Sequence, residues 1–230
     1  MNIAIITARG GSKRIPRKNI KSFLGYPIIR YSIYAALKSH CFDEVMVSTD
    51  DKEIAKISKK LGAKVPFFRS AKNSGDHVST VSVIEEVLLE YKKRGQIFEY
   101  TCCIYPTAPF ITSEKLKKGY QLIRKFKAEA AIPVVRYSYP IQRALKIDDQ
   151  GRLKMIHPEN MFKMSQEFVP AYHDSGQFYW LRISSFLKQR RLFAKKTVAI
   201  EIPESEVQDI DVKEDWKIAE IKYRILNKKY

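Results

Sequence analysis

The sequence predicts a doubly wound α/β fold with a largely parallel central sheet. Short stretches rich in Val, Ile and Phe alternate with stretches whose apolar residues recur every three or four positions, and short polar connections join them. Such alternation is typical of strand–helix–strand units, which build parallel sheets covered by helices. The 230 residues, 45% of them hydrophobic, suffice for one substantial core, so we expect residues 1–230 to form a single domain.

Three strand–helix pairs are predicted in the first part of the chain. The strands are expected at residues 3–7, 45–48 and 65–68. The helices are expected at residues 28–39, after Asp50, and along the apolar positions Val83, Ile84, Val87, Leu88 and Tyr91. For the second helix we expect Asp50 as the N-cap with Glu53 in capping-box position, and Gly62 at the end.

The second part of the chain continues this alternation. Strands are expected at residues 101–105, 130–135, 176–181 and 198–202. Apolar residues at helical spacing predict two further helices, one burying Leu116, Tyr120, Ile123 and Phe126 and a last one, from about Lys213, burying Ile218, Ile221 and Ile225.

The alternation is interrupted between Arg136 and His173. This stretch contains Pro140, Pro158 and Pro170, several aromatic residues and no sustained period. Long irregular insertions in a compact domain usually serve function or assembly, so we expect one of these roles here.

The formal net charge of +17 favours a polyanionic partner: nucleic acid, an anionic membrane or a phosphorylated small molecule. Much of the excess lies near the start, since no Asp or Glu precedes Asp43. No stretch is apolar enough for a membrane span and no signal peptide is visible, so we expect a cytoplasmic protein without a membrane partner. The three cysteines lack metal-binding spacing and are expected to be reduced thiols.

The strongest candidate site is the loop of residues 8–19, A-R-G-G-S-K-R-I-P-R-K-N, which follows the first strand. Glycines allow backbone N–H groups to approach phosphate oxygens, and cations and polar side chains add hydrogen bonds. The candidate residues are Arg9, Gly10, Gly11, Ser12, Lys13, Lys18 and Asn19. The loop has neither the G-x-G-x-x-G nor the Walker A pattern. A basic surface turn is the structural alternative.

Two carboxylates, Asp209 and Asp211, form a second candidate site. In an extended stretch they share one face and could hold Mg²⁺, which prefers a few carboxylates together with substrate phosphates. The alternative is structural, because Asp211 and Glu214 also match a helix capping box.

Two polar stretches complete the candidates. The loop of residues 69–80 follows a predicted strand and could contact a base or ribose through Arg69, Asn73, Asp76, His77, Ser79 and Thr80. The structural alternative is an ordinary polar connection in which Ser79 or Thr80 caps the next helix. Residues 173–175, His-Asp-Ser, lack the order and the nucleophile elbow of a hydrolase, so we expect a polar turn that lines a pocket.

The loop of residues 8–19 resembles the signature of the CMP-sialic acid synthetase family, the acylneuraminate cytidylyltransferases that activate keto-acid sugars. Similar stretches follow in the family's order: V-S-T-D-D at residues 47–51, Y-P-T-A-P at 105–109 and Q-D-I-D at 208–211. Within the family, I-Q-R-A-L at 141–145 and Y-H-D-S-G-Q-F-Y-W at 172–180 are most similar to the members that act on pseudaminic acid.

The resemblance implies a Rossmann-like α/β domain with an inserted dimerisation arm at residues 136–173, hence a homodimer. It implies attack of the anomeric hydroxyl of an acidic nine-carbon sugar on the α-phosphate of CTP, assisted by Mg²⁺, with release of pyrophosphate. The nucleotide would contact Arg9, Gly10, Gly11, Ser12, Lys13, Lys18, Asn19, Arg69, Asp76 and Ser79.

The same resemblance implies the remaining roles. Catalytic roles would belong to Arg9, Lys18, Asp209 and Asp211, of which the two aspartates would hold the metal. The sugar would contact Tyr105, Gln142, Arg143, Gln177 and Tyr179.

Two positions depart from the family pattern and leave alternatives open. Tyr105 stands where sialic acid enzymes typically carry Gln, which favours a different sugar. Met164 stands where pseudaminic acid enzymes commonly carry Arg. If that arginine binds the sugar carboxylate, Lys163 or Arg143 must replace it here, or the substrate differs. The same reaction on N-acetylneuraminic or legionaminic acid is therefore the alternative.

Two other classes of protein could share the basic charge or the fold. A nucleic-acid-binding protein is one, although the RNP pattern and Cys/His fingers are missing, and we expect no nucleic-acid partner. A nucleotide sensor without catalysis is the other.

Overall fold

The computed structural model describes residues 1–227. Its six α-helices are α1 Ile29–Ser39, α2 Lys52–Lys60, α3 Thr80–Lys93, α4 Ser113–Lys125, α5 Ile183–Gln189 and α6 Lys213–Asn227. Its strands are β1 Asn2–Thr7, β2 Ser22–Phe23, β3 Tyr26–Pro27, β4 Glu44–Ser48, β5 Tyr100–Ile104, β6 Ala130–Arg136, β7 Leu145–Ile147, β8 Leu153–Met155, β9 Tyr172–Asp174, β10 Phe178–Arg182 and β11 Thr197–Glu201.

The central sheet has the strand order β11-β6-β10-β5-β1-β4, with β9 added beside β6. Neighbours β4, β1 and β5 are parallel, as are β6 and β11. Strand β10 runs antiparallel between β5 and β6. The predicted α/β fold with a largely parallel sheet is therefore confirmed, with β9 and β10 as the antiparallel exceptions.

Both faces of the sheet are buried. Cys102 packs in the core cluster on one face and Cys103 in the cluster on the other, as alternation along a strand requires. Burial raises the pKa of both thiols, so they act as small apolar residues. The tightest packing lies at Gly119 of α4, where an added Cβ would be 2.7 Å from Trp180.

The structure corrects two predictions in the first part of the chain. The N-cap of α2 is Asp51, whose side chain accepts from the N–H groups of Glu53 and Ile54, and Asp50 is free for another contact. Residues 65–68 are not a strand, because pairing stops at the single bridge between Met46 and Lys64. Pro66 follows at once and has no N–H to continue a ladder.

The buried face of α6 also differs from the prediction. Trp216 and Ala219 are buried, whereas Ile218, Ile221 and Ile225 lie 37%, 58% and 64% exposed. The aromatic cluster of Phe23, Tyr31, Trp216 and Tyr223 explains the difference, because its edge-to-face contacts orient the other side of the helix inward. Phe126, expected to be buried in α4, is half exposed just beyond its last turn.

We call residues 136–173 the arm. Apart from its ends on β6 and β9, the arm contains the small hairpin of β7 and β8 and short 3₁₀ turns. Large apolar side chains of the arm are exposed: Tyr139, Ile147, Leu153, Phe162 and Val169. None of the helices found in residues 1–227 has the length and apolar character that crossing a membrane requires.

Candidate active site

We call residues 8–19 the phosphate loop, after the ligand expected from its composition. It begins at the carboxyl end of β1 and lies beside residues 49–51, which follow β4, and residues 105–107, which follow β5. Ligands of parallel α/β sheets bind at these strand ends. Here the loop lines a cleft of about 300 Å³ together with Arg69, Thr80, Tyr105 and Asp211.

Carboxylates of the same chain neutralise the cations of the phosphate loop. Arg9 contacts Asp76 at 2.5 Å, and Lys13 pairs with the same carboxylate. Arg14 lies 2.7 Å from Asp211. The contacts with Lys13 and Arg9 lower the pKa of the Asp76 carboxyl to about 2. These ion pairs hold the cations at the rim of the cleft. A more highly charged anion can displace the carboxylates and bind the cations in their place.

Lys18 and Asn19 shape the end of the phosphate loop. The Lys18 ammonium donates to the carbonyl oxygen of Ile210 at 2.6 Å and lies 3.5 Å from Asp211. Asn19 is buried and donates from Nδ2 to the carbonyl oxygen of Arg9 at 2.8 Å, so it closes the loop on itself. Both side chains line the cleft, as Ser12 does.

The two glycines serve different purposes. The N–H of Gly10 donates to Asp50 at 2.9 Å. A Cβ on Gly10 would come within 2.8 Å of Asp51 Oδ2, whereas a Cβ on Gly11 would meet nothing. Close packing against Asp51 therefore favours glycine at position 10, whose N–H is hydrogen-bonded to Asp50 in this structure. The contact of both glycines with phosphate stays a prediction.

The three residues expected near the base and ribose have different positions. Arg69 is buried, donates to Ser48, lines the cleft and has no ion-pair partner within the described residues. Ser79 is exposed and its side chain caps α3, so its neighbours Val78 and Thr80 line the cleft instead. Asp76 lies at the rim in contact with Arg9 and Lys13.

The two aspartates of the second candidate site face the open side of an extended segment. Ile210 between them is buried, and burial together with the charge of Asp211 raises the pKa of Asp209. The capping box expected for Asp211 and Glu214 is not formed: Asp215 accepts from the N–H groups of residues 211 and 212. The carboxylate of Asp211 is thereby left for Arg14 and Lys18.

A second cavity of about 510 Å³ meets the first at Tyr105. It is lined by Tyr179, Asp174, Ser175 and Asp209, and the Tyr179 hydroxyl donates to Asp174 at 2.5 Å. Burial raises the pKa of Tyr105 and Tyr179, so both phenols stay protonated donors. The polar turn of residues 173–175 lines this pocket, as predicted.

Three residues expected at the sugar do not line this cavity. Gln177 is buried beneath it and donates to the carbonyl oxygen of Glu206 at 2.8 Å. Gln142 and Arg143 belong to the arm, where the Gln142 amide donates to the carbonyl oxygen of Val169.

Five residues at or beside the two cavities were not predicted as site residues from the sequence. Asp50 and Asp51 contact the phosphate loop, and Glu204, Gln208 and Lys222 line the second cavity. The signal for the first pair was their place directly after β4, the neighbour of β1 in the sheet. For Glu204 and Lys222 no local pattern was available, whereas Gln208 belongs to the Q-D-I-D stretch of residues 208–211, in which only the two aspartates were candidates.

Comparisons with known proteins identify the family of this chain. Residues 3–209 match the family model described as cytidylyltransferase. A pseudaminic acid cytidylyltransferase of Campylobacter jejuni is 38% identical over 97% of this chain and 97% of its own. A CMP-N,N'-diacetyllegionaminic acid synthase of Legionella pneumophila is 30% identical, covering 95% of this chain and 94% of its own.

Solved structures share the fold. A CMP:2-keto-3-deoxy-manno-octonic acid synthetase, solved as a complex with CTP, has a TM-score of 0.71 over 99% of both chains at 16% identity. At that identity the likeness establishes the Rossmann-like fold alone. The match to the family model and the full-length relatives establish more: the chain belongs to the cytidylyltransferase family and is a nucleotidyltransferase.

Proposed function

We propose that this chain transfers CMP from CTP to an acidic nine-carbon sugar, with pseudaminic acid as the favoured substrate. The observation that carries the proposal is a cationic cleft at the strand ends that shares Tyr105 with a second, tyrosine-lined cavity, with Asp211 lining the first and Asp209 the second. Two adjoining cavities suit two substrates that must react with each other.

The cationic cleft is proposed to hold the triphosphate. Arg9, Lys13, Arg14 and Lys18 line it, and all four have partners that a triphosphate can replace. Arginine suits phosphate as a bidentate fork and lysine as a point charge. Arg69 adds a buried cation without an ion-pair partner in the described part of the chain, and we assign it to the cytidine part of CTP.

The reaction that fits this arrangement joins an oxygen of one substrate to a phosphorus of the other. The anomeric hydroxyl of the sugar forms a bond with the α-phosphorus of CTP, the bond to the β-phosphate oxygen breaks, and pyrophosphate leaves while the hydroxyl loses its proton. Such phosphoryl transfers depend mostly on positioning and charge neutralisation. The chain provides both through its fixed loop and its clustered cations.

Asp209 and Asp211 fit a magnesium ion. Their oxygen donors suit a hard cation, and burial, with a smaller contribution from the charge of Asp211, raises the pKa of Asp209. Within residues 1–227 no three His, Cys, Asp or Glu side chains come together, so the protein offers two ligands and phosphates and water must complete the shell. When bound, Mg²⁺ would neutralise charge on the phosphates.

The relatives favour pseudaminic acid as the sugar. The proteins that are 38% and 37% identical to this chain carry pseudaminic acid in their names, whereas the legionaminic acid relative is 30% identical. Tyr105 and Tyr179 stack edge to face with centroids 5.6 Å apart and line the second cavity. The two phenol rings add aromatic surface to a cavity whose other lining residues are mostly polar.

The arm is proposed to form a homodimer. Its exposed apolar side chains exceed what a solvated loop requires, and contiguous patches of this kind mark interaction surfaces. Gln142 and Arg143 lie on the arm and outside the cavity of their own chain. In a dimer they are therefore available to the partner's sugar cavity.

The decisive experiment incubates the purified chain with CTP, Mg²⁺ and a panel of pseudaminic, legionaminic and N-acetylneuraminic acids. We expect a CMP-sugar by mass spectrometry, with pseudaminic acid consumed fastest, and no product with EDTA or with UTP, ATP or GTP. Preference for another acid of the panel would correct the substrate. Absence of any CMP-sugar in all reactions would overturn the proposal.

A further inference from the structure

Arg17 differs from the other cations of the phosphate loop because it does not line the cleft. Its guanidinium donates to both oxygens of Asp51, at 2.6 and 2.9 Å, and also contacts Glu53 at 2.6 Å. Its backbone has φ 55°, in the left-handed region that an arginine seldom adopts. A side-chain contact outside the cleft thus holds a strained turn at the end of the loop.

Asp51 holds the other end of the loop as well. Its carboxylate is fixed by four hydrogen bonds: two from Arg17 and two from the N–H groups of Glu53 and Ile54 at the start of α2. Gly10 packs against this fixed group so closely that a Cβ would lie 3.0 Å from the Cβ of Asp51. The adjacent Asp50 accepts the Gly10 N–H at 2.9 Å.

The two contacts have a common consequence. Residues 10 and 17 are both attached to the dipeptide Asp50–Asp51, so the segment between them is closed before any ligand arrives. Without this attachment, Arg17 would keep only its contact with Glu53 and would add repulsion to a loop that also carries Arg9, Lys13, Arg14 and Lys18. A loop that is already closed binds its ligand without losing further conformational entropy.

We infer that Asp51 is a positioning residue for CTP: with Arg17 it holds the phosphate loop in its binding conformation. The inference rests on the proposed CTP site. For the change in CTP affinity when Asp51 is replaced, it also predicts the opposite sign to that expected from the charge of Asp51 alone. Removing the negative charge of Asp51 raises the positive potential near the cleft and should strengthen the binding of an anion, whereas loss of the attachment should weaken it.

The test compares Asp51→Asn, Arg17→Ala and the double variant. Asparagine remains a good N-cap, so Asp51→Asn removes the ion pair and preserves α2. We expect each single variant to bind CTP roughly tenfold more weakly, as for loss of a charged hydrogen bond, and the double variant to be no worse. KM for CTP should rise by about the same factor as the dissociation constant, while kcat at saturating CTP stays near the wild-type value.

Two further measurements separate this inference from other causes. Hydrogen exchange of residues 10–17 in the free protein should be faster in Asp51→Asn than in the wild type. Thr112→Ala, which removes the N-cap of α4 away from the loop, should lower the melting temperature and leave CTP affinity unchanged. Arg17→Lys keeps the charge without the fork and should behave like Arg17→Ala.

The outcomes distinguish failure of the inference from failure of the proposed function. Unchanged or tighter CTP binding by Asp51→Asn, or additive losses in the double variant, would overturn the role of Asp51. If the wild type itself bound no CTP, the proposed function would fall. In that case the hydrogen exchange of residues 10–17 would still decide whether Asp51 holds the loop.

Discussion

The phosphate loop and the arm are two long irregular regions of this domain, and they differ in whether their side chains have partners in the same chain. Every cation of the loop has an acceptor in the same chain, from Arg9 on Asp76 to Lys18 on Ile210. The arm instead exposes apolar side chains, with Phe162 94% and Val169 79% accessible. The cations of the loop suit the binding of a small anion, whereas the exposed apolar surface of the arm suits contact with a second macromolecule.

The difference shows how each region stays ordered. The loop is anchored by charged hydrogen bonds to residues after the neighbouring strand, so its shape depends on few, specific contacts. The arm is anchored through its ends on β6 and β9 and by backbone pairing in its hairpin. Substitutions in the loop should therefore affect turnover, and substitutions in the arm should affect assembly.

The largest effect is expected at the aspartates beside the loop. Asp211→Asn should reduce turnover by about a hundredfold or more, because Asp211 is proposed to hold the Mg²⁺ that neutralises charge on the phosphates, and loss of one such transition-state contact has that magnitude. Its side chain makes no cap hydrogen bond in the described residues, so stability should change little. Steady-state kinetics at saturating CTP and Mg²⁺, with thermal unfolding, measure both.

The matched control is Asp43→Asn. This change also removes one carboxylate, but Asp43 accepts the N–H of Asn2 at 2.6 Å at the far end of β1. It should lower stability and leave kcat intact. Near-normal turnover of Asp211→Asn would show that this carboxylate only partners Arg14 and Lys18.

The loop was more predictable from sequence than its supports. Glycines and cations directly after an apolar strand are local features, so a phosphate site could be inferred from residues 8–19 alone. Asp50 and Asp51 were not distinguishable, because two adjacent carboxylates before a helix are equivalent caps by pattern. Which one caps is decided by Arg17, a contact 34 positions away in sequence.

Exposure and strand direction were harder to predict. Helical spacing identified α6, but two stripes satisfied it, and tertiary packing buried Trp216 while leaving Ile221 on the surface. The antiparallel direction of β10 is likewise absent from its local pattern. That direction brings the turn of residues 173–175 to the carboxyl ends of the parallel strands and so into the second cavity.

The arm is expected to hold two copies together. Phe162→Asp combined with Val169→Asp places charge on two highly exposed aliphatic or aromatic residues of the arm and should convert a dimer into a monomer of 26.8 kDa. Ile97→Asp is the control, because Ile97 is 71% exposed outside the arm. Sedimentation at micromolar concentration decides: a wild type of 26.8 kDa would contradict the dimer.

A smaller effect is expected at Lys18. Lys18→Ala removes one charge-assisted contact, worth about 1.5–3 kcal/mol, or roughly 10- to 100-fold in kcat/KM for CTP. Part of the loss should fall on kcat because charge grows on the phosphates during transfer. The order of preference among sugars should not change. An altered sugar preference with normal CTP kinetics would show that Lys18 contacts the sugar and not the triphosphate.

The smallest effect concerns acid stability and separates the two regions once more. Hydrogen bonds from Arg17 lower the pKa of the Asp51 carboxyl from its ordinary 3.8 to about 2. Because the folded pKa is the lower one, the contribution of Asp51 is present in full above about pH 4 and is lost as the pH falls towards 2. We expect about 1–2 kcal/mol, since Arg17 is partly exposed and solvent screens the pair. Chemical unfolding of wild type and Asp51→Asn from pH 7 to pH 2 measures it. The difference between their unfolding free energies should shrink over the acid end of that range, and a constant difference would mean that the ion pair contributes nothing to stability.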